Sequence, residues 1–246
     1  HDNKQPWVSK GIGDDGAVIN WEKDTDLVVV TDTLVCGVHF DLSQKAHSIG
    51  YKSLAVNLSD MAAMGATPIW STLNLTLPKI EHTWLESFSS GFMGLSNKYS
   101  VPLVGGDTTR GSLSVSVTVG GRLSKGQALY RSGAFPGNLI LVTGTLGGAA
   151  ASLKSKVKVE RSLLDALYYP NPRLELADAL AGKICSAIDI SDGLISDLEH
   201  ILVASGNLGA LLDPEKIPLH PDACLLFGKA RALEFALAGG DDYELC

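Results

Sequence analysis

Residues 112–119 alternate without a break, with apolar Leu113, Val115, Val117 and Val119 against small polar Ser112, Ser114, Ser116 and Thr118. A strand sends successive side chains to opposite faces, so this stretch has one face for a core and one for water. Antiparallel sheets have that one-sided character, whereas strands of all-parallel sheets are apolar on both faces. Residues 69–77 repeat the pattern, with Leu73, Leu75 and Leu77 against Thr72, Asn74 and Thr76. Two helical patterns can cover such a sheet. Over 46–64, Leu54, Leu58 and Met61 recur at helical spacing, and Gly65 then Pro68 supply the stop. Over 82–99 the stripe is Trp84, Phe88, Phe92 and Leu95. Short buried strands are expected at 28–30, from Pro102 and at 139–142, and residues 1–10 read as a patternless arm. The class is α/β (α+β), with mixed sheets covered by helices.

At 246 residues the chain has the length of one large domain or two ordinary ones. Its composition turns to loop around 132–137, which places a boundary there: 1–135, then 136–246. The second unit is expected to be incomplete, because the sequence stops at Cys246 inside an apolar run. A formal net charge of −7 argues against a nucleic-acid partner. No apolar run reaches membrane-spanning length. Cys36, Cys185, Cys224 and Cys246 lie far apart and form no CxxC pair, which favours a reducing, cytoplasmic setting over zinc or disulfides.

The chemistry lies in turns tipped with acids. Gly11-Ile-Gly-Asp-Asp-Gly-Ala17 puts two carboxylates in a glycine-rich bend, and the device recurs at Asp32, Asp107 and Asp189. Any one of them is by default a turn or cap residue. Asp60 is harder to dismiss, because the dipole opposes an anion late in a helix by several tenths of a kcal/mol. If Asp15, Asp32, Asp60 and Asp107 converged, each carboxylate pair about 4 Å apart would repel by ~4 kcal/mol at an effective dielectric near 20. Bound cations would relieve that repulsion. Oxygen-only ligands without a His/Cys cluster suit Mg²⁺ before Ca²⁺. The GxxxxGK[ST] loop and the calcium-loop pattern are both absent, and no Ser–His–Asp or Cys–His arrangement can be picked out. Ser191 or Asp192 is a ready N-cap for a helix that offers free N–H groups to an anion. By default His39 is a surface residue, Arg131 a loop cation and Tyr99 core packing. The residues alone lead to a Mg²⁺-dependent enzyme acting on a phosphorylated compound, without a covalent intermediate.

Six blocks, in order, carry a resemblance. They are Gly11-Ile-Gly-Asp-Asp-Gly-Ala, Thr31-Asp-Thr-Leu-Val-Cys-Gly-Val-His39-Phe, Asn57-Leu-Ser-Asp-Met-Ala-Ala-Met-Gly65-Ala, Gly105-Gly-Asp-Thr-Thr-Arg110-Gly, Ser186-Ala-Ile-Asp-Ile-Ser-Asp-Gly193-Leu and Gly239-Gly-Asp-Asp-Tyr-Glu-Leu-Cys246. Together they resemble the thiamine-monophosphate kinase family of the aminoimidazole-ribonucleotide synthetase superfamily. The resemblance implies a two-domain fold, a homodimer formed through the N-terminal sheet, and direct transfer of the ATP γ-phosphoryl group to thiamine monophosphate. It implies several Mg²⁺ ions held by Asp15, Asp32, Asp60, Asp107, Asp189 and Asp192, with Thr31 assisting. Tyr99, Gly106, Asp107, Arg131 and Ser191 would contact ATP, and His39 and Asp241 the thiamine phosphate. The alternatives are another superfamily member, such as a selenophosphate or purine-pathway synthetase, and a non-catalytic Mg-nucleotide module.

Overall fold

The computed structural model describes residues 8–10, 14–155, 160–180 and 182–246. Strands β1 (Val8–Lys10), β2 (Ala17–Glu22), β3 (Thr25–Val35), β4 (Thr67–Leu77), β5 (Leu103–Arg110) and β6 (Ser114–Ser124) build a six-stranded sheet in the order β1-β2-β3-β6-β4-β5. Neighbours run antiparallel except β4 and β5, which are parallel. Helices α1 (Ala46–Ala63) and α2 (His82–Tyr99) cover one face. The alternation sets the register. Val119 pairs with Val30 and Val115 with Leu34, so apolar residues of neighbouring strands share the helix-facing side. Val28, Val30, Val115, Val117 and Val119 pack there with Leu54, Leu58 and Met61 of α1 and Phe88, Phe92 and Leu95 of α2. Each such side chain contributes about 1.5–3 kcal/mol by leaving water. The two helices approach at glycines: a Cβ on Gly91 would lie 1.9 Å from the His47 carbonyl oxygen.

Helix α1 is enclosed because the C-terminal half covers what the sheet leaves open. Leu174 and Leu245 pack on Ala62 and Ala63. That half contains α3 (Gly148–Lys154), α4 (Arg161–Tyr168), α5 (Leu174–Leu180), β7 (Asp189–Ile190), α6 (Leu194–Ala204), α7 (Pro221–Phe227), α8 (Lys229–Ala238) and β8 (Glu244–Leu245), with β7 and β8 paired antiparallel. Its own cores gather Ala151, Leu163, Ala232 and Phe235, and Leu146, Ile190, Leu194 and Ala236.

Four local expectations change. Residues 8–10 of the expected arm pair with β2. Residues 28–30 belong to an eleven-residue, one-sided strand. The strand after Pro102 is exposed throughout, because β5 lies at the sheet edge with β4 as its neighbour. Residues 139–142 form no strand: β8 is only two residues long and pairs with β7, and it is the next residue, Thr143, that meets β8, its N–H donating to the Leu245 carbonyl and its hydroxyl accepting the Leu245 N–H at 2.8 Å.

Candidate active site

Acids from four separate segments meet at the C-terminal end of α1. Asp32 occupies a core-facing position of β3, in phase with Val28, Val30 and Leu34. Asp60 projects from the last turn of α1, Asp15 from the bend at 14–16, and buried Asp189 from β7. One carboxylate oxygen each from Asp15, Asp60 and Asp189 lies within 4.8 Å of the others. Asp32 hydrogen-bonds to Asp60. Ser59, one residue before Asp60, donates to Asp189 at 2.7 Å. Gly11, Ile12 and Gly13 of the first acid-tipped turn lie outside the described residues.

Burial dominates the electrostatics here. It pushes the carboxyls of Asp60 and Asp189 well above the ordinary range; Asp189, Asp32 and Asp15 push Asp60 further, and Asp15 pushes Asp189. Burial also raises Asp15, although the Arg131 guanidinium, ion-paired to it, acts in the opposite direction. The Arg131 backbone N–H donates to Asp14 at 3.1 Å, so the arginine is held at both ends. Asp15 Oδ2 and Asn57 Oδ1 are buried and find no hydrogen-bond partner among the described residues. Packed carboxylates, an orphaned oxygen and hard oxygen donors fit a divalent cation such as Mg²⁺.

Beside this cluster stands the turn Gly240–Tyr243. Asp241 has φ 70° and Tyr243 φ 50°, both left-handed and costly for side-chain-bearing residues. The turn is held by Asp241 N–H to the Ser191 carbonyl and Tyr243 N–H to the Ile190 carbonyl, each 2.8 Å. The Tyr243 hydroxyl donates to Asp241 at 3.0 Å, and Lys52 Nζ of α1 reaches the same oxygen at 3.0 Å. Asp189 and Asp32 are close enough to raise the Tyr243 phenol further, after burial and Asp241 have raised it. His39 accepts the Val35 N–H at Nδ1 (3.0 Å), which leaves the neutral ring's proton on Nε2.

The other expected site residues are distributed differently. Asp192 is exposed on the same tip as Asp189, and Ser191 beside it is half-buried. Neither side chain caps α6; buried Asp197 does so from within, accepting the N–H groups of Asp192 (3.0 Å) and Gly193 (3.1 Å). The Thr31 hydroxyl points to the opposite face of the sheet from Asp32, pairing with Thr118 at 3.0 Å. Asp107 lies on exposed β5, three strand spacings or roughly 14 Å across the sheet from Asp32. Gly106 meets a backbone constraint: its φ is 149°, and a Cβ there would lie 1.8 Å from the Leu73 carbonyl oxygen. Tyr99 donates to Asn171 and to the Pro172 carbonyl (3.3 Å each) and lines a cleft with Lys98 and Leu174. Sequence reasoning passed over Lys52, Ser59, Arg173 and Glu244. The last two form a forked ion pair, with Arg173 Nε 2.6 Å from Glu244. Lys52 had a visible signal, as the one Lys, Arg, Asp or Glu between residues 46 and 59.

The family described as AIR synthase related protein, N-terminal domain, matches residues 13–123. Thiamine-monophosphate kinase of Salmonella typhimurium is 47% identical over 97% of this chain and 76% of its own length. The crystal structure of thiamine-monophosphate kinase from Stenotrophomonas maltophilia superposes with a TM-score of 0.87 at 44% identity, covering 99% of this chain and 80% of that one. The structure of AaThiL complexed with AMPPCP and TMP gives a TM-score of 0.89 at 32% identity, over 96% and 79% of the two chains. At this identity and coverage, with the described fold in place, the chain belongs to the thiamine-monophosphate kinase family.

Proposed function

We propose that this protein is a Mg²⁺-dependent kinase that moves the γ-phosphoryl group of ATP onto thiamine monophosphate, giving thiamine diphosphate and ADP. The observation that carries the reading is the meeting of Asp15, Asp60 and Asp189 within 4.8 Å, with Asp32 bonded to Asp60. The family and the AaThiL complex with AMPPCP, an ATP analogue, together with TMP, support the substrate pair. Asp15, Asp32, Asp60 and Asp189 would hold Mg²⁺, joined by exposed Asp192. Asp107 and Thr31 lie across the sheet from them, so their family-implied roles at metal and nucleotide require a site that extends over its edge. Bound there, Mg²⁺ supplies charge neutralisation for the phosphoryl oxygens.

The chain's own groups then have separable tasks. Arg131, Ser191, Gly106 and Tyr99 are assigned to ATP, and a guanidinium suits forked contact with phosphate. His39 Nε2–H and the Asp241 turn are assigned to the acceptor. The terminal phosphate oxygen of thiamine monophosphate bonds to γ-phosphorus as the bond to the β-phosphate oxygen breaks, and no side chain becomes phosphorylated. Separate cores on either side of residues 135/136 support the two-domain division. The fully exposed edge strand β5 supports a homodimer formed through the sheet. No helix among the described residues is long and apolar enough to cross a membrane. The test is incubation with ATP, Mg²⁺ and thiamine monophosphate, following thiamine diphosphate by chromatography. Its formation only when all three are present is expected; ATP binding without turnover of any thiamine phosphate would refute the assignment.

A further inference from the structure

Lys52 is 2% exposed, although a lysine is almost never buried unless it is paired. Its partner is Asp241, from the other half of the chain, at 3.0 Å. Asp241 has a left-handed backbone, and its carboxylate also accepts the Tyr243 hydroxyl. The Lys52 ammonium lies 5.7 Å from the centre of the Tyr243 ring, so one cation holds both residues of the turn. Lys52 and Asp60 share helix α1, eight residues or about 12 Å apart along its axis. One rigid element therefore carries a member of the acid cluster at its end and the tether of the Asp241 turn two turns earlier.

We propose that Lys52 is a positioning residue for the phosphate acceptor. Its ammonium fixes the Asp241 carboxylate in the strained turn, which sets the acceptor pocket at a defined distance from the Asp60 end of α1. The inference rests on the kinase reading, in which Asp241 faces thiamine monophosphate. A tether of this kind acts on one substrate and not the other. Methionine at position 52 keeps the unbranched stem and removes the charge; arginine keeps the charge.

The test is steady-state kinetics on the full chain with each substrate varied in turn. Lys52→Met should raise KM for thiamine monophosphate at least about tenfold, the equivalent of one lost charge-assisted contact, and leave KM for ATP within about twofold. Lys52→Arg should recover part of the loss. Lys52→Met in an Asp241→Asn background should add almost nothing, because the two residues then act as one unit. Tyr243→Phe, which removes only the hydroxyl, should shift the same KM by a smaller factor and serves if Lys52→Met does not fold. A lower melting temperature with both KM values unchanged, equal rises in both, or additive effects in the double variant would each overturn the inference. Wild-type protein that makes no thiamine diphosphate would sink the kinase reading itself, before any variant is compared.

Discussion

Replacing Asp60 by Asn tests the acid cluster directly. The oxygens of Asp15, Asp60 and Asp189 lie within 4.8 Å of one another, so each ionised pair repels by at least about 3 kcal/mol at an effective dielectric near 20. Asp60 belongs to two of these pairs, so repulsion from Asp15 and Asp189 alone costs its charge about 7 kcal/mol, before burial and Asp32 add to it. The protein can escape by leaving a proton on Asp60. At pH 8 that means holding a group of ordinary pKa 3.8 protonated some 4 units too high, at a cost of about 6 kcal/mol. The smaller figure sets the ceiling, and local relaxation lowers it. Asparagine keeps a donor for Asp32 while removing the charge. Without divalent cations at pH 8, Asp60→Asn should therefore be more stable than wild type by about 3 kcal/mol, or roughly 6–12 °C in melting temperature.

The sign of the pH dependence follows from the raised pKa values of Asp60 and Asp189. The native state binds more protons than the unfolded one, so wild-type stability falls as pH climbs from 3.8 through the raised range. The variant's advantage should accordingly shrink by pH 5. Added Mg²⁺ at a thousandfold excess over Kd should reverse the order at pH 8, stabilising wild type by about 4.1 kcal/mol and the variant by much less. Differential scanning fluorimetry with EDTA or Mg²⁺ at the two pH values reads all four states, and turnover should be lost in the variant. An Asp60→Asn protein that melts at or below wild type in EDTA, and gains as much from Mg²⁺, would refute the reasoning.

Two further perturbations probe the frame around the site. Burial raises the Asp242 carboxyl to about 7, while its oxygen accepts the Gly147 N–H at 2.8 Å. Asp242→Asn retains an acceptor, so it should stabilise the protein by about 2–4 kcal/mol above pH 7, allowing for partial solvent access, with the gap closing as pH falls to 3.8. Urea titrations across pH check this, and a pH-independent gap would contradict it. Gly91→Ala forces a methyl into the His47 carbonyl and should cost about 1–3 kcal/mol or more, whereas Gly94→Ala, on the exposed side of the same helix with nothing within 4 Å, should be neutral or stabilising. Equal effects of the two, measured by thermal melts, would show that the helices part freely.

What could be read in the chain itself was whatever a local period encodes. Alternation at 112–119 placed β6 and its buried valines, and the 46–64 and 82–99 patterns matched α1 and α2 closely, because burial against one layer imprints the period of the element. The acid-tipped turns were visible for the same reason: glycine and aspartate mark bends. Which acids meet was not encoded locally. Asp32 reaches Asp60 because it takes a core-facing phase of β3, while neighbouring Thr31 faces the other way; Asp107 falls on an edge strand through the order β6-β4-β5, which no spacing reveals. Lys52 showed as a lone charge, but its partner lies 189 residues away, and only the packing of the C-terminal half on α1 brought Asp241 to it. Long-range pairing depends on how faces stack, and stacking is a property of the assembled chain, so the candidate site's chemistry was legible while its geometry waited for the fold.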